Sequence, residues 1–273
     1  MMGRTSLRKP LCITSIALTL TAAAHAAERP TAIDTFVSGL GNDSNASTNC
    51  PRASPCRTFA AAYPVTHSSG DIIALDPADY GPLTITGPIS ILGVEGAVIA
   101  VASGTTGIAI NAPASDKIVI KDLSISGAGE SGTTGIALAN GRLVLRNTTL
   151  KLLTTGLSVS DAKADLLYVD VIGNTTGVTV TGAGVNTSTF PLTGTAEVRL
   201  FFGSAVDNAT AYVMTNPGGA KNNPNFSILE YITSNTDAAF STYVAGNATL
   251  VSGSGSTCPC TQLGVFGSNS NPN

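Results

Sequence analysis

Hydrophobic residues alternate with small or polar ones through much of this chain, and one short phrase recurs four times. Each copy has two threonines and a glycine, followed by apolar residues at every second position. The copies occupy residues 105–110, 133–138, 154–159 and 175–180. Because successive side chains of a strand point to opposite faces, the apolar residues of one copy share a face. Each copy is therefore predicted to be a strand with one buried face.

The spacing of the copies predicts a stacked architecture. Their glycines step by 28 residues (107 to 135), then 21 (135 to 156), then 21 (156 to 177). A single repeat cannot bury its apolar face alone, but stacked repeats cover one another. Further strand patterns follow at 118–125, 143–150 and 166–172, and the first two are interrupted by a polar residue that indicates a bend. Three short strands per repeat predict an all-β, right-handed parallel β-helix.

A β-sandwich or barrel is the alternative fold for such a strand-rich chain. Those folds join neighbouring strands by tight hairpins, for which Asn-Gly and Asp-Gly are the strongest sequence signals. Asn140-Gly141 is the only dipeptide of this kind between residues 105 and 182. The β-helix is therefore the preferred prediction.

The N-terminus has the pattern of a secretory signal. Arg4, Arg8 and Lys9 precede an apolar run over residues 11–24, which ends in Ala-His-Ala. We predict a signal peptide at 1–26 with cleavage before Ala27, because the run is too short for a convincing membrane anchor. The expected location is secreted or periplasmic, with no transmembrane segment after signal removal.

The residues that follow are predicted to cap the first coil, whose open end would otherwise expose apolar side chains and a strand edge. Thr58 can cap a short helix over 59–63, which stops before Pro64. Cys50 and Cys56 are predicted to form a disulfide that pins this cap, as expected for an exported chain. The predicted organisation is a cap at 27–70, a β-helix at 71–251 and a Gly/Ser/Asn-rich tail at 252–273.

A second pair of cysteines lies in that tail. Cys258 and Cys260 are separated by one residue, and a bridge across one residue is strained. They can pair with each other, stay reduced or cross-link to another chain. Zinc is a poor alternative because one histidine, His67, follows the signal segment.

The cap segment also resembles a known family. Residues 35–45 (TFVSGLGNDSN), 55–62 (PCRTFAAA) and 70–80 (GDIIALDPADY) are similar to the start of secreted bacterial right-handed β-helix proteins of the pectate-lyase-like superfamily, the pectin lyase fold. There the same segments read YVS-x-x-G-x-D-x-N, PF-K-T-I-x-x-A and GD-x-I-x-V-x-P-G-x-Y. Cys56 here replaces the usual Phe, and Ala78 the usual turn Gly. The resemblance implies the fold and its cap, but that superfamily includes lyases, hydrolases, epimerases and adhesins.

Composition excludes one class of partner and weakens another. The formal net charge is −3, and only 11% of residues are charged, so nucleic acid is not expected as a partner because phosphate binding needs clustered Lys and Arg. Aromatic residues are 5% and there is no Trp, which weakens a strong sugar-stacking platform.

Polar residues at the predicted bend are the first candidates for chemistry. Asp122, Asn147 and Asp170 are expected to occupy the bend of successive coils, about 4.8 Å apart per coil. The structural interpretation is a polar ladder that bonds the backbone of the next coil. The functional one notes that Asp122 and Asp170, two coils apart, would be about 9–10 Å from each other, near the upper limit for inverting glycoside hydrolysis.

Two further sets of residues are weaker candidates. Lys121 and Arg146 are expected to stack outward just before the bend, and lyases of this fold use an outward Arg or Lys as base beside carboxylates that hold calcium. Asn42, Asp43 and Asn45 could ligate calcium through oxygen atoms, but a downstream bidentate Glu is lacking. No other cofactor is predicted.

The sequence predicts function only in outline. Charged residues are sparse and scattered, whereas enzymes concentrate carboxylates and a base in one cleft. The preferred hypothesis is a non-catalytic protein that binds a glycan or a partner at the cell envelope. The alternative is a polysaccharide lyase or glycoside hydrolase acting on an acidic polysaccharide.

Overall fold

The computed structural model describes residues 32–181, 197–201, 203–215, 226–230, 232–235, 243–244 and 248–252. The predicted signal peptide at 1–26, residues 253–273 of the predicted tail and its cysteines Cys258 and Cys260 lie outside the described residues.

The described chain is almost entirely β-strand, with few and short helices. In chain order the strands are β1 (Ala32–Val37), β2 (Thr66–Ala74), β3 (Leu83–Ile85), β4 (Ile89–Leu92), β5 (Val98–Ala100), β6 (Thr106–Asn111), β7 (Lys117–Ser126), β8 (Thr134–Asn140), β9 (Arg142–Lys151), β10 (Thr155–Ser160), β11 (Lys163–Ile172), β12 (Thr176–Thr181), β13 (Glu197–Phe201), β14 (Gly203–Val206), β15 (Thr210–Thr215), β16 (Phe226–Glu230), β17 (Ile232–Asn235), β18 (Tyr243–Val244) and β19 (Ala248–Ser252). The helices are α1 (Phe59–Ala62) and the 3-10 turns Asp43–Thr48 and Tyr63–Val65.

The strands form two long parallel sheets that wind into a solenoid of about four turns. One sheet holds ten strands, including β2, β4, β7, β9 and β11, and the other holds β18-β15-β12-β10-β8-β6-β3 in that order. The threonine–glycine repeats stack in register, with Ile136 opposite both Ile108 and Leu157. This arrangement confirms the parallel β-helix and excludes a sandwich for the described coils.

The repeated glycines are explained by a close approach between coils. A Cβ on Gly135 would lie 2.5 Å from the carbonyl oxygen of Gly156, and a Cβ on Gly156 would lie 2.5 Å from that of Gly177. Real Cβ atoms do not come this close to backbone. Glycine therefore recurs in each coil because two backbones meet there, and the following Ile or Leu residues can fill the core.

The short helix and the disulfide predicted for the N-terminal segment are both present. Thr58 accepts a hydrogen bond from the backbone of Ala61 at 3.1 Å and begins α1, which ends one residue earlier than predicted. A disulfide joins Cys50 to Cys56. The Phe59 ring lies 4.8 Å from that of Tyr80, and both side chains are fully buried. The cap thus closes the apolar end of the first coil.

A pair of buried asparagines links three coils on the inner side of the turn before β12. The Asn174 Oδ1 atom accepts the N–H of Leu153 at 2.9 Å, and its Nδ2 donates to the carbonyl of Leu150 at 3.0 Å and to Asn208 Oδ1 at 2.9 Å. Asn208 in turn donates to the carbonyl of Val171 at 2.8 Å. These side chains therefore bond to backbone groups at the ends of β9 and β11 and in the turn after β9.

Candidate functional site

The bend of the long strands carries a column of three side chains. Each bend residue has a left-handed backbone conformation: Asp122 in β7 (φ 57°), Asn147 in β9 (φ 45°) and Tyr168 in β11 (φ 54°). The residues on either side confirm the alignment, since Lys121 pairs with Arg146 and Arg146 with Leu167. The column is therefore Asp122, Asn147 and Tyr168.

The prediction that Asp170 continues this column is wrong. Asp170 lies two residues past the bend, opposite Thr149 in β9 and Ser204 in β14. Its carboxylate accepts a hydrogen bond from the Ser204 hydroxyl. The proposed separation of Asp122 and Asp170 by two coils in one column therefore loses its geometric basis.

The sequence signal for Tyr168 at the bend is the period of the repeats and not the type of residue. Asp and Asn tolerate the left-handed region, so residue type alone predicts a polar residue at every bend. The 21-residue period that separates later repeats, counted from Asn147, arrives at Tyr168 rather than Asp170. Tyr168 is 57% exposed, so a large aromatic residue lies at the surface on a strained backbone.

Asp122 is held as a carboxylate by its neighbours. Its Oδ2 atom lies 3.0 Å from Lys121 Nζ, and Asn147 Nδ2 donates to its Oδ1. Partial burial raises the pKa of Asp122, but the hydrogen bond from Asn147 and the charges of Lys121 and Arg146 outweigh burial and leave the pKa below its ordinary value. The predicted ladder is thus made of side-chain contacts rather than bonds to backbone. A carboxyl of this kind is ionised at neutral pH and cannot serve as a general acid.

A groove of about 540 Å³ runs beside Asp122 and Asn147. The connection 93–97 between β4 and β5 forms one wall, and Ser124 and Thr149 lie beyond the bend on the other side. The buried Ser124 hydroxyl has no hydrogen-bond partner among the described residues. The groove therefore offers carboxylate, amide and hydroxyl groups, which can bind the hydroxyls of a ligand.

Lys121 and Arg146 stack outward just before the bend, as predicted. The Lys121 ammonium forms an ion pair with Asp122 at 3.0 Å, so it is not available as a base while the pair is intact. Leu167 takes the next position in their column. A catalytic role for either residue stays a prediction.

The calcium candidates have structural contacts in the cap. Asp43 accepts hydrogen bonds from the backbone N–H of Arg57 at 2.8 Å and of Thr58 at 2.9 Å, and from the Thr58 hydroxyl at 3.0 Å. Asn42 caps the 3-10 turn by accepting from Ser44, and Asn45 donates to the Pro55 carbonyl. These contacts account for the three residues without a metal, and calcium binding there stays a prediction.

Asp76 is a second carboxylate with a structural role. Its oxygens accept from the N–H of Gly39 at 2.7 Å, the Ser38 hydroxyl at 2.6 Å and the Tyr80 hydroxyl at 2.7 Å. The hydrogen bonds from Gly39 and Ser38 keep the pKa of Asp76 below its ordinary value. Burial raises the pKa of Tyr80. These hydrogen bonds connect the residues that follow β1 with the turn after β2.

We expect these lowered pKa values to make the fold sensitive to acid. A carboxyl whose pKa is lower in the folded state stabilises the protein above its unfolded pKa, and the stabilisation is lost as pH falls through the folded pKa. The free energy of unfolding, measured by urea titration, should therefore fall from about pH 5 to about pH 2. Asp76→Asn should flatten this dependence. Parallel pH profiles for the variant and the wild type would contradict the prediction.

No protein-family model, no curated protein and no solved structure matches the chain. Within the described part of the chain, no helix has the length and apolar character needed to cross a membrane. The function must therefore be argued from the geometry.

Proposed function

We propose that this chain is an exported, non-catalytic β-helix protein of the pectate-lyase-like superfamily that binds a glycan at the bend of its coils. The motifs of the cap support the family, and the Cys50–Cys56 disulfide is compatible with export. The proposed glycan site consists of the column Asp122, Asn147 and Tyr168 together with the adjoining groove.

Tyr168 is the observation that carries the proposal. A tyrosine in the left-handed region is strained, and such residues persist where the surroundings or a function require them. Tyr168 is exposed, and its backbone lies one coil, about 4.8 Å, from that of Asn147. An exposed ring with a polar end presents an apolar surface to the C–H face of a sugar. The amide, hydroxyl and carboxylate groups of the groove can bind the sugar hydroxyls at the same time.

A lyase or hydrolase is a poorer fit to this site. Asp122 is ionised and paired with Lys121, so neither group is available as a proton donor or a base without breaking the pair. Asp170 bonds to Ser204 outside the column. Enzymes of the alternative class need an acid and a base that face one sugar, and the described bend does not present them.

The test measures both glycan affinity and stability in variants of Tyr168. We expect Tyr168→Asn to weaken glycan binding about tenfold, because the stacking surface is lost. The same substitution should leave stability unchanged or raise it by about 0.5–1 kcal/mol, because Asn tolerates positive φ. Glycan arrays identify the ligand, isothermal titration gives the affinity, and urea unfolding gives the stability.

Tyr168→Phe is the matched control, since it keeps the ring and should keep most of the affinity. Equal affinity for wild type and Tyr168→Asn would show that Tyr168 does not contact the ligand. Release of unsaturated products from a uronic-acid polymer, lost in Lys121→Gln or Arg146→Gln, would replace the proposal with the lyase alternative. No binding to any glycan would leave a partner protein as the remaining ligand class.

A further inference from the structure

The corner between β8 and β9 is made by the dipeptide Asn140-Gly141. Asn140 is the last residue of β8, and Gly141 alone connects it to β9. No other Asn-Gly pair occurs in the chain. Such a pair is usually the turn of a hairpin, but here Gly141 has a φ of 105° and joins strands of two different parallel sheets. The pair therefore stands at a place in the fold that the sequence analysis does not assign to it.

The side chain of Asn140 is folded back onto the peptide bond that follows it. Its Oδ1 atom accepts the backbone N–H of Gly141 at 2.9 Å, so the amide carbon Cγ is held close to that nitrogen. Glycine has no Cβ to shield the nitrogen. A Cβ on Gly141 would lie 3.2 Å from Ile118 Cδ1 and 3.4 Å from Ala112 Cβ. Packing and the positive φ thus keep an unshielded nitrogen next to a partly exposed amide.

We propose that Asn140 is a site of spontaneous conversion to aspartate and isoaspartate. The Gly141 nitrogen loses its proton to hydroxide and attacks Cγ of Asn140, so that a C–N bond forms. The Cγ–Nδ2 bond then breaks, and the nitrogen leaves as ammonia with a proton from water. Water opens the resulting cyclic imide: attack on Cγ gives aspartate, and attack on the main-chain carbonyl carbon gives isoaspartate. Nothing is oxidised or reduced, and water is the only co-reactant.

The two products affect the corner differently. Isoaspartate routes the main chain through Cγ and adds one carbon atom to it, whereas aspartate keeps the original path and adds only a charge. The Arg142 N–H donates to the Asp116 carbonyl at 3.0 Å, and the Gly141 carbonyl accepts the N–H of Lys163 at 3.3 Å. A longer main chain shifts the atoms of both bonds, so isoaspartate loosens the start of β9. This inference does not depend on the proposed glycan site.

The experiment incubates the purified protein in mildly alkaline buffer at physiological temperature and follows tryptic peptides by mass spectrometry. Cleavage after lysine and arginine releases peptides 122–142 and 147–151, each with a single asparagine and no glutamine. The exchange of an amide for a carboxyl therefore identifies Asn140 or Asn147 by mass alone. We expect Asn140 to convert at least about tenfold faster, because Asn147 precedes a β-branched Thr and its amide donates to Asp122. Methylation by an isoaspartyl methyltransferase measures the isoaspartate fraction.

Asn140→Gln is the matched control, because it keeps an amide but holds it one methylene farther along the side chain, and peptide 122–142 should then stay unmodified. Circular dichroism melts establish that the variant is folded. Equal conversion of Asn140 and Asn147 would overturn the proposal. So would a rate in the folded protein more than about tenfold below that of the chain unfolded in urea, because the fold would then protect the peptide bond.

Hydrogen exchange tests the effect on the corner. The isoaspartate form, separated by ion exchange, should exchange the Arg142 amide at least about tenfold faster than the unmodified protein, because the bond to Asp116 is weakened. Unchanged exchange at Arg142 would show that the corner accommodates the longer main chain and would refute the loosening of β9.

Discussion

Asn174→Ala is expected to destabilise the protein by about 4 kcal/mol, because each buried polar group left without a partner costs about 1–3 kcal/mol. Asn174 is 2% exposed, and its amide satisfies the N–H of Leu153 and the carbonyl of Leu150. Removing the amide leaves both backbone groups without this hydrogen-bond partner and breaks the contact with Asn208. Urea unfolding followed by circular dichroism measures the loss.

Asn111→Ala is the control for this variant, since it removes an exposed amide from β6 in the same stack of coils. Its effect on stability should stay below about 1 kcal/mol. A loss for Asn174→Ala no larger than that of the control would mean that water or a rearranged turn replaces the amide, and the asparagine pair would not hold the coils together.

Gly156→Ala is expected to have the second-largest effect, a loss of about 3 kcal/mol or more. The new Cβ would lie 2.5 Å from the Gly177 carbonyl oxygen. The obstacle is backbone rather than a flexible side chain, so β10 and β12 must separate and weaken the hydrogen bonds between them. The free energy of unfolding measures the loss of stability, and amide hydrogen exchange in β10 and β12 measures the weakening of the hydrogen bonds between them.

Ser158→Ala, on the outer face of the same strand, should change stability by no more than about 0.5 kcal/mol. If Gly156→Ala were as stable as Ser158→Ala, the glycine would be replaceable. The recurrence of glycine in every repeat would then have a cause other than the close approach of the coils.

The fold could be predicted because it depends on features that one sequence displays directly. Alternation of apolar residues assigns the strands, and the repeated Gly107, Gly135, Gly156 and Gly177 give the stacking. Each repeat covers the next, so the same pattern that makes a strand also makes the core. Thr58 and the disulfide cysteines could likewise be placed, since capping and loop closure are local.

The site could be predicted only in part, because it depends on register. Lys121 and Arg146 pair as the sequence predicts, but Tyr168 lies at the bend where the sequence predicts Asp170. Lys117, Arg142 and Lys163 also stack on successive coils, an alignment that the sequence analysis does not predict. Coils of unequal length shift the alignment, and a sequence does not show which turn holds the extra residues.

Those unequal coils have a practical consequence for engineering. The connections before β7 and β8 span residues 112–116 and 127–133, whereas those before β9 and β10 are Gly141 alone and residues 152–154. Lys117 still pairs with Arg142, and Ile108 with Ile136. The connections at the corners of this solenoid therefore absorb changes in length without shifting the register of the stacked strands. A foreign peptide epitope spliced into the exposed corner at 113–115 would be displayed on a rigid scaffold.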